Sequence, residues 1–403
     1  MESVQAIVAT ILKHVETLPS ENVPLMQSIG CIAGKELVAD ADFPSATLAL
    51  ADGFALRHAW LQTVSPQNPA RFPISSRNSS SGGAKHPIAI PVQLFDHVPR
   101  GFDVIIPRDG AVVSDHVLIV AKPLEKWENI LPLGANIRKG DVLLFRGDEI
   151  TYSDVGTASY LGLKSFPVIR KPRVALVLVC SVSKRVKDYE TVNNYLRGIS
   201  DTISAQVLKY RGVFRRYKIL SDFSESDRET IARAFDSDMV LFLGQSPEKK
   251  QDGLVRILEE MGVRIHLKTK NVHPGHFFSF GTVEEKSVFL LPNDPSGAIL
   301  NFEEFIRPAL FKMRGKKHTR HEEINARLGS TLFNTEGKIN LIQAFVHLKN
   351  GVFYAVPIGT ERLPGVRKMR TMNGIIVLPE NVKKVPMGSV TRVQMLRQPD
   401  WSF

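Results

Sequence analysis

The sequence predicts a multidomain α/β plus β protein. Its centre is a doubly wound, mostly parallel α/β domain, with a small β-domain inserted near the N-terminus and a C-terminal β-barrel. Three observations predict this. From "KPRVALVLVC" onward, short β-branched runs alternate with helical patterns, as βαβ units require. Upstream, Ser, Pro, Asn and Gly crowd residues 61–92 and leave room only for short strands. After residue 315 the helical pattern stops, and "KINLIQAFVHL", "GVFYAVPIG", "GIIVLPE" and "SVTRVQML" read as strands.

Taken in order, the N-terminus opens with Val4, Ile7, Val8, Ile11 and Leu12 at helical spacing. An acidic second residue and no basic cluster make this an amphipathic helix and not a signal peptide. Strands are expected near 88–94, 103–107 and 111–120. Val174–Val179 is a continuous β-branched and Leu run, suited to a strand buried on both faces. A helix over roughly 192–211 follows, then a strand at "YKIL". Ser226 and Glu229 read as a capping box opening the next helix. "DMVLFLG", "VRIHL" and "SVFLLP" are further strands. "SGAILNFEEFIRPALFKM" is a helix with Ile299, Phe302 and Ile306 on one face. In such sheets ligands bind outside the C-terminal strand ends. Loops 180–187, 244–252 and 292–296 are therefore expected to lie near one another.

Composition narrows the function classes. At 43% hydrophobic and 23% charged, the 403-residue chain is an ordinary globular sequence able to bury a sizeable core. The longest apolar run, Val174–Cys180, falls far short of the roughly 20 residues that span a bilayer. Two cysteines, Cys31 and Cys180, suggest no disulfide framework, and a cytoplasmic location is expected. The net charge of +11 is spread over "FRRYK", "EKK" and "RGKKHTRH". These runs are short, scattered and without interleaved aromatics, so they read as solvated faces and not as a nucleic-acid footprint.

Four stretches, in this order, carry a resemblance. They are "VPLMQSIGCIAGKELVADADFPSATLALADGFALR", "GANIRKGDVLLFRGDEITYSDVGTASYLGLKSFPVIRKPRVALV", "FLLPNDPSGAILNFEEFIRPAL" and "MNGIIVLPENVKKVPMGSVTRVQML". Together they resemble the molybdopterin molybdenumtransferase family, of the MoeA and gephyrin E-domain type, over essentially the whole chain. The resemblance implies an N-terminal and linker domain at 1–45 and 133–170, and a small β-domain at 46–132. It further implies a molybdopterin-binding α/β domain at 171–315 and a β-barrel at 316–403. It also implies a homodimer that inserts molybdate into adenylylated molybdopterin, releasing AMP, with Mg2+.

Carried over residue by residue, the resemblance places site positions and exposes departures from the family pattern. Asp52, in "ADGFAL", stands where the family has the aspartate of M-D-G-Y-A, implying a catalytic and metal-binding carboxylate. Read by itself, Asp52-Gly53 is an Asx turn. The stretch "LFLGQSPEKKQDGL" stands where the family has G-G-x-S-x-G-x-x-D. Gly244 and Asp252 match its ends, while Gln245, Pro247 and Lys249 replace two glycines and the serine. Lys249 and Lys250 either supply point charges to an anion or are solvated.

Further along, "VHPGH" stands for the family's K-P-G-K. Gly275 is kept, and His273 and His276 replace lysines at anion-contact positions. Two histidines alone do not make a zinc site. "PNDPSG" stands for P-G-N-P, with Asn293 and Asp294 exchanged in. Asn293 tolerates a left-handed turn, and Asp294 either faces the ligand or caps the following helix. The family's T-G-D-E-L becomes "VCSVS", without an acid, and its T-G-A near 94–96 becomes "LFD". Two readings stay open: an enzyme of molybdenum cofactor assembly using Asp52 and Asp252, or a catalytically inactive relative acting as a pterin-binding or protein-interaction module.

Overall fold

Val4, Ile7 and Ile11 recur at helical spacing and form the buried side of α1 (Val4–Lys13). Ser3 starts this helix, its hydroxyl accepting from the Ala6 amide at 3.1 Å. The computed structural model describes residues 3–75, 86–180, 189–220, 224–245, 251–274, 278–292, 294–358, 370–398 and 400–401. The chain divides into two compact units: Asn22–Arg146 with Ile150–Phe166, and Met1–Glu21 with Gly147–Glu149 and Pro167–Phe403.

The smaller unit holds two three-stranded antiparallel sheets. Its strands are β1 (Gly53–Leu56), β2 (Ala70–Pro73), β3 (Ile90–Val92), β4 (Val104–Pro107), β5 (Val112–Ser114) and β6 (Val117–Val120). β1 lies between β3 and β4, and β6 lies between β2 and β5. Phe54, Leu56, Phe72, Ile106 and Leu118 share one core. β2, only four residues long, falls within the loop-like stretch of the sequence. α2 (Tyr152–Tyr160) opens with a reciprocal cap between Thr151 and Asp154.

The larger unit is built on a six-stranded sheet. Its strands are β7 (Arg173–Cys180), β8 (Val213–Leu220), β9 (Met239–Gln245), β10 (Arg264–Thr269), β12 (Phe278–Val283) and β13 (Lys286–Pro292), with a two-residue strand, β11 (Val272–His273), lying outside it. The order is β8-β7-β9-β13-β12-β10. The pairings among β8, β7, β9 and β13 are parallel, while those of β12 with β13 and β10 are antiparallel. α3 (Tyr189–Lys209), α4 (Glu225–Ala234) and α5 (Gln251–Glu260) connect the strands. Leu176, Leu241 and Leu291 face one core, and Val177, Phe242 and Leu290 face another, so the sheet is covered on both sides.

Two local expectations change. β12 was not read as a strand. The cap of α4 is Ser224 with Asp227, not Ser226 with Glu229: the Ser224 amide donates to Asp227 Oδ2 at 3.0 Å.

The last strands are β14 (Glu323–Leu328), β15 (Ile339–Lys349), β16 (Val352–Pro357), β17 (Gly374–Leu378), β18 (Val390–Met395) and β19 (Asp400–Trp401). β15, β16, β14, β18 and β17 follow one another in pairing, and β17 pairs back to β15, which closes a five-stranded barrel. β11 and β19 add to β15 from outside that ring.

One continuous helical segment joins sheet and barrel. α6 (Pro295–Asn301) passes through a π-helical stretch (Phe302–Ile306) into α7 (Arg307–Met313). Ile299, Phe302 and Ile306 are buried, as their spacing predicts, and so is Phe305. So are two acids and a base: Glu303 is 2%, Glu304 4% and Arg307 3% exposed. Glu303 is well bonded. Tyr210 donates to its Oε2 at 2.5 Å and Gln206 to its Oε1 at 2.9 Å, both from the end of α3. Arg307 and Lys209 each lie 3.8 Å from its carboxylate. Burial and the Glu303 charge raise the Tyr210 pKa, so the phenol stays a donor. Burial, with Arg307 nearby, lowers His321 to about 3, so the imidazole 3.5 Å from Glu303 is neutral.

Candidate active site

Asp52 is exposed and immediately precedes β1. Its carboxylate does not close an Asx turn. Oδ1 accepts from the Leu94 amide at 2.7 Å, 42 residues away, and its carbonyl accepts from the Arg108 amide at 2.8 Å. One carboxylate oxygen is thus tied to the loop after β3. Gly53 is required for space and not for a turn: a Cβ there would sit 2.0 Å from the Ile106 carbonyl of β4.

The same loop holds the stretch "LFD". Phe95 is left-handed at φ 63° and 64% exposed, and its amide donates to Ala49 at 2.8 Å. The position where the family has glycine is therefore left-handed here, with a phenylalanine bearing the strain. Leu50 and Leu94, 44% and 49% exposed, flank the carboxylate with it. Relief of roughly 1–2 kcal/mol of left-handed strain, less the entropy that glycine gains when unfolded, predicts that Phe95→Gly stabilises by roughly 0.5–1 kcal/mol. A denaturant midpoint measured at unchanged slope checks this; a lower midpoint would show that Phe95 packs productively.

In the larger unit, the parallel register brings the C-terminal ends of β7, β9 and β13 side by side, with Leu178 opposite Leu243 and Gln245 opposite Pro292. Gly244 sits at that edge with φ 124°. A Cβ on it would meet the Val179 carbonyl at 2.3 Å, so both the conformation and the space demand glycine. Asp252 lies in the first turn of α5, but its side chain is outside the described residues, as are Lys249, Lys250, Gly275, His276 and Asn293.

Asp294 follows β13 and caps α6: Oδ1 accepts from the Gly297 amide at 2.6 Å. Its charge, together with the larger effect of burial, raises the pKa of Tyr195 on α3. This places a phenol near the cap, which sequence reasoning missed; tyrosine on a polar helix face gives no signal by itself. His273 lies on β11, paired with Asn340 of the barrel strand β15, and its Nδ1 is 3.3 Å from Glu336. Of the expected site residues, then, Gly244 and Asp294 share one sheet edge, His273 belongs to the barrel rim, and Asp52 is in the other unit.

For a divalent metal, no three His, Cys, Asp or Glu side chains gather among the described residues. Asp52 offers one oxygen beyond its bond to Leu94. A metal cage made by this chain alone does not fit the described residues.

Residues 2–162 match the family described as MoeA N-terminal region (domain I and II). Molybdopterin molybdenumtransferase of Staphylococcus epidermidis is 24% identical over 397 residues, 97% of this chain and 94% of its own. Residues 2–162 belong to the MoeA family, and the chain as a whole is similar to MoeA proteins. Among solved structures, the molybdopterin biosynthesis moeA protein from Pyrococcus horikoshii OT3 aligns over 98% of this chain and 100% of its own, with TM-score 0.73 and 21% identity. A second Pyrococcus moeA structure aligns over 99% and 100%, with TM-score 0.81 and 20% identity. At these identities the structures speak for the fold alone, and the match runs over nearly the whole chain. Among the described residues, no helix is long and apolar enough to cross a membrane.

Proposed function

We propose that this chain acts in molybdenum cofactor biosynthesis, inserting molybdate into adenylylated molybdopterin with release of AMP. The observation that carries the reading is Asp52, a carboxylate at the family position, exposed and oriented through one oxygen by the Leu94 amide. Its other oxygen is available to accept a proton or a hydrogen bond from the substrate. Gly244 supports the reading from the second unit, since it keeps the chain close to Val179 at the sheet edge where ligands of parallel sheets bind. The metal of the family reaction is Mg2+. A homodimer is part of the proposal. Exposed side chains of the smaller unit such as Tyr152 and Tyr160, 83% and 64% exposed, would supply apolar contacts for it.

The expected result is molybdate-dependent AMP release from adenylylated molybdopterin, lowered at least about 100-fold in Asp52→Ala while its melting temperature is unchanged. Folded protein that releases no AMP in the presence of Mg2+ would sink the catalytic reading.

A second reading is favoured by Asp294. Its carboxylate stands at the sheet edge where the family has asparagine, and a fixed negative charge there opposes a phosphate. The chain then binds a pterin or a protein partner without turnover. Calorimetry with molybdopterin distinguishes the two, with binding but no AMP release as the expected outcome of this second reading.

A further inference from the structure

The seam between the barrel and the helical segment at 295–313 is closed by a carboxyl group. Glu304 lies in the π-helical stretch and is 4% exposed. Gln394 of β18 hydrogen-bonds to it. Its Oε1 has no hydrogen-bond partner among the described residues, and neither has Gln394 Oε1. Both orphans are acceptors, so the missing element is a hydrogen.

The groups around Glu304 do not supply one. From its own segment come Glu303 and Arg307, and from β14 comes Glu323, the register partner of Gln394. Tyr210, Gln206 and Lys209 from α3 meet Glu303 and not Glu304. His321, just before β14, is neutral. Two buried carboxyl groups, Glu303 and Glu304, therefore share one buried guanidinium, and the exposed Glu323 adds a third negative charge beside Glu304.

We propose that Glu304 is a proton-dependent latch: as the neutral acid it seals the barrel face carrying Gln394 and Glu323 against the helix, and its ionisation beside Glu303 and Glu323 loosens that seam. The neutral acid is a donor and satisfies one orphan acceptor. The ionised acid leaves a buried charge with an unpaired oxygen, which is costly. Burial first, then the Glu303 and Glu323 charges, raise Glu304 from 4.5 to about 7, against the pull of Arg307 and Gln394. A carboxyl raised on folding gives stability that is complete below its unfolded pKa and falls as pH rises through about 7.

Hydrogen exchange tests the latch. Between about pH 6 and about pH 8.5, corrected for intrinsic exchange rates, protection of β17 and β18 amides should fall roughly tenfold or more, while β7 and β9 hold theirs. In Glu304→Gln the barrel protection should stay flat over the same range. Glu323→Gln, at an exposed position, removes one like charge that raises Glu304, so its midpoint should lie at lower pH than in the wild type. An unchanged fall in Glu304→Gln, or no midpoint shift in Glu323→Gln, overturns the proposal. The second variant carries the test if the first does not fold.

Discussion

Arg307→Met is expected to lower the unfolding free energy by about 3–5 kcal/mol. Methionine fills much of the same volume, so the loss is electrostatic and not a cavity. Arg307 is 3% exposed, its Nε donates to the Glu303 carbonyl at 3.3 Å, and its guanidinium lies over the Phe311 ring at 4.9 Å. Without it, Glu303 and Glu304 face each other in the core with Lys209 as the nearest cation to Glu303. Burial lowers the Arg307 pKa, but the neighbouring acids and Tyr210 hold it up. The discriminating measurement is urea unfolding of Arg307→Met alone and combined with Glu303→Gln. The double variant should recover part of the loss, because the orphaned charge goes with the guanidinium. A single-variant loss under about 1 kcal/mol would show that Tyr210, Gln206 and Lys209 suffice for Glu303.

Gly244→Ala is expected to cost about 3 kcal/mol, with roughly 1–2 from backbone conformation and the rest from forced separation of strands. The methyl would meet the Val179 carbonyl at 2.3 Å, and neither strand yields easily: β7 pairs with β8 and β9, and β9 with β13. The effect should reach ligand binding as well, since the displaced edge is the one that bears Asp294. Urea midpoints for the variant give the stability term, and calorimetry with molybdopterin gives the other. A stable variant with unaltered binding would show that the edge reshapes freely.

The sequence carried those parts of the fold whose cause is local. The Val174–Val179 run is buried on both faces because every residue in it is apolar, and α1 shows its face through Val4, Ile7 and Ile11. β12 gives little strand signal because "FSFGTV" is short, with three apolar residues and a glycine in its interior. The cap of α4 was misplaced by two residues because Ser224 and Ser226 are equally good caps until geometry chooses.

The site was legible by position and not by contact. Asp52 could be found, but its partner at Leu94 is set by the packing of β3 beside β1. Glu303 and Glu304 read as the polar side of a helix with Phe302 and Ile306 on the other. They are buried because α3 covers one side and the barrel the other, and neither neighbour is near in sequence.

β11 ties the residues before the "HPGH" loop to a strand that follows them by more than sixty positions: Val272 pairs with Ile339 and His273 with Asn340, while the Asn271 side chain donates to Glu380 at 2.6 Å. The barrel is therefore not an appendage that can be trimmed. A fragment ending near residue 315 would lose the backbone partners of Val272 and His273, and a library of truncations would score that loss as a local defect. Swapping barrels between relatives would, for the same reason, transplant that pairing register along with them.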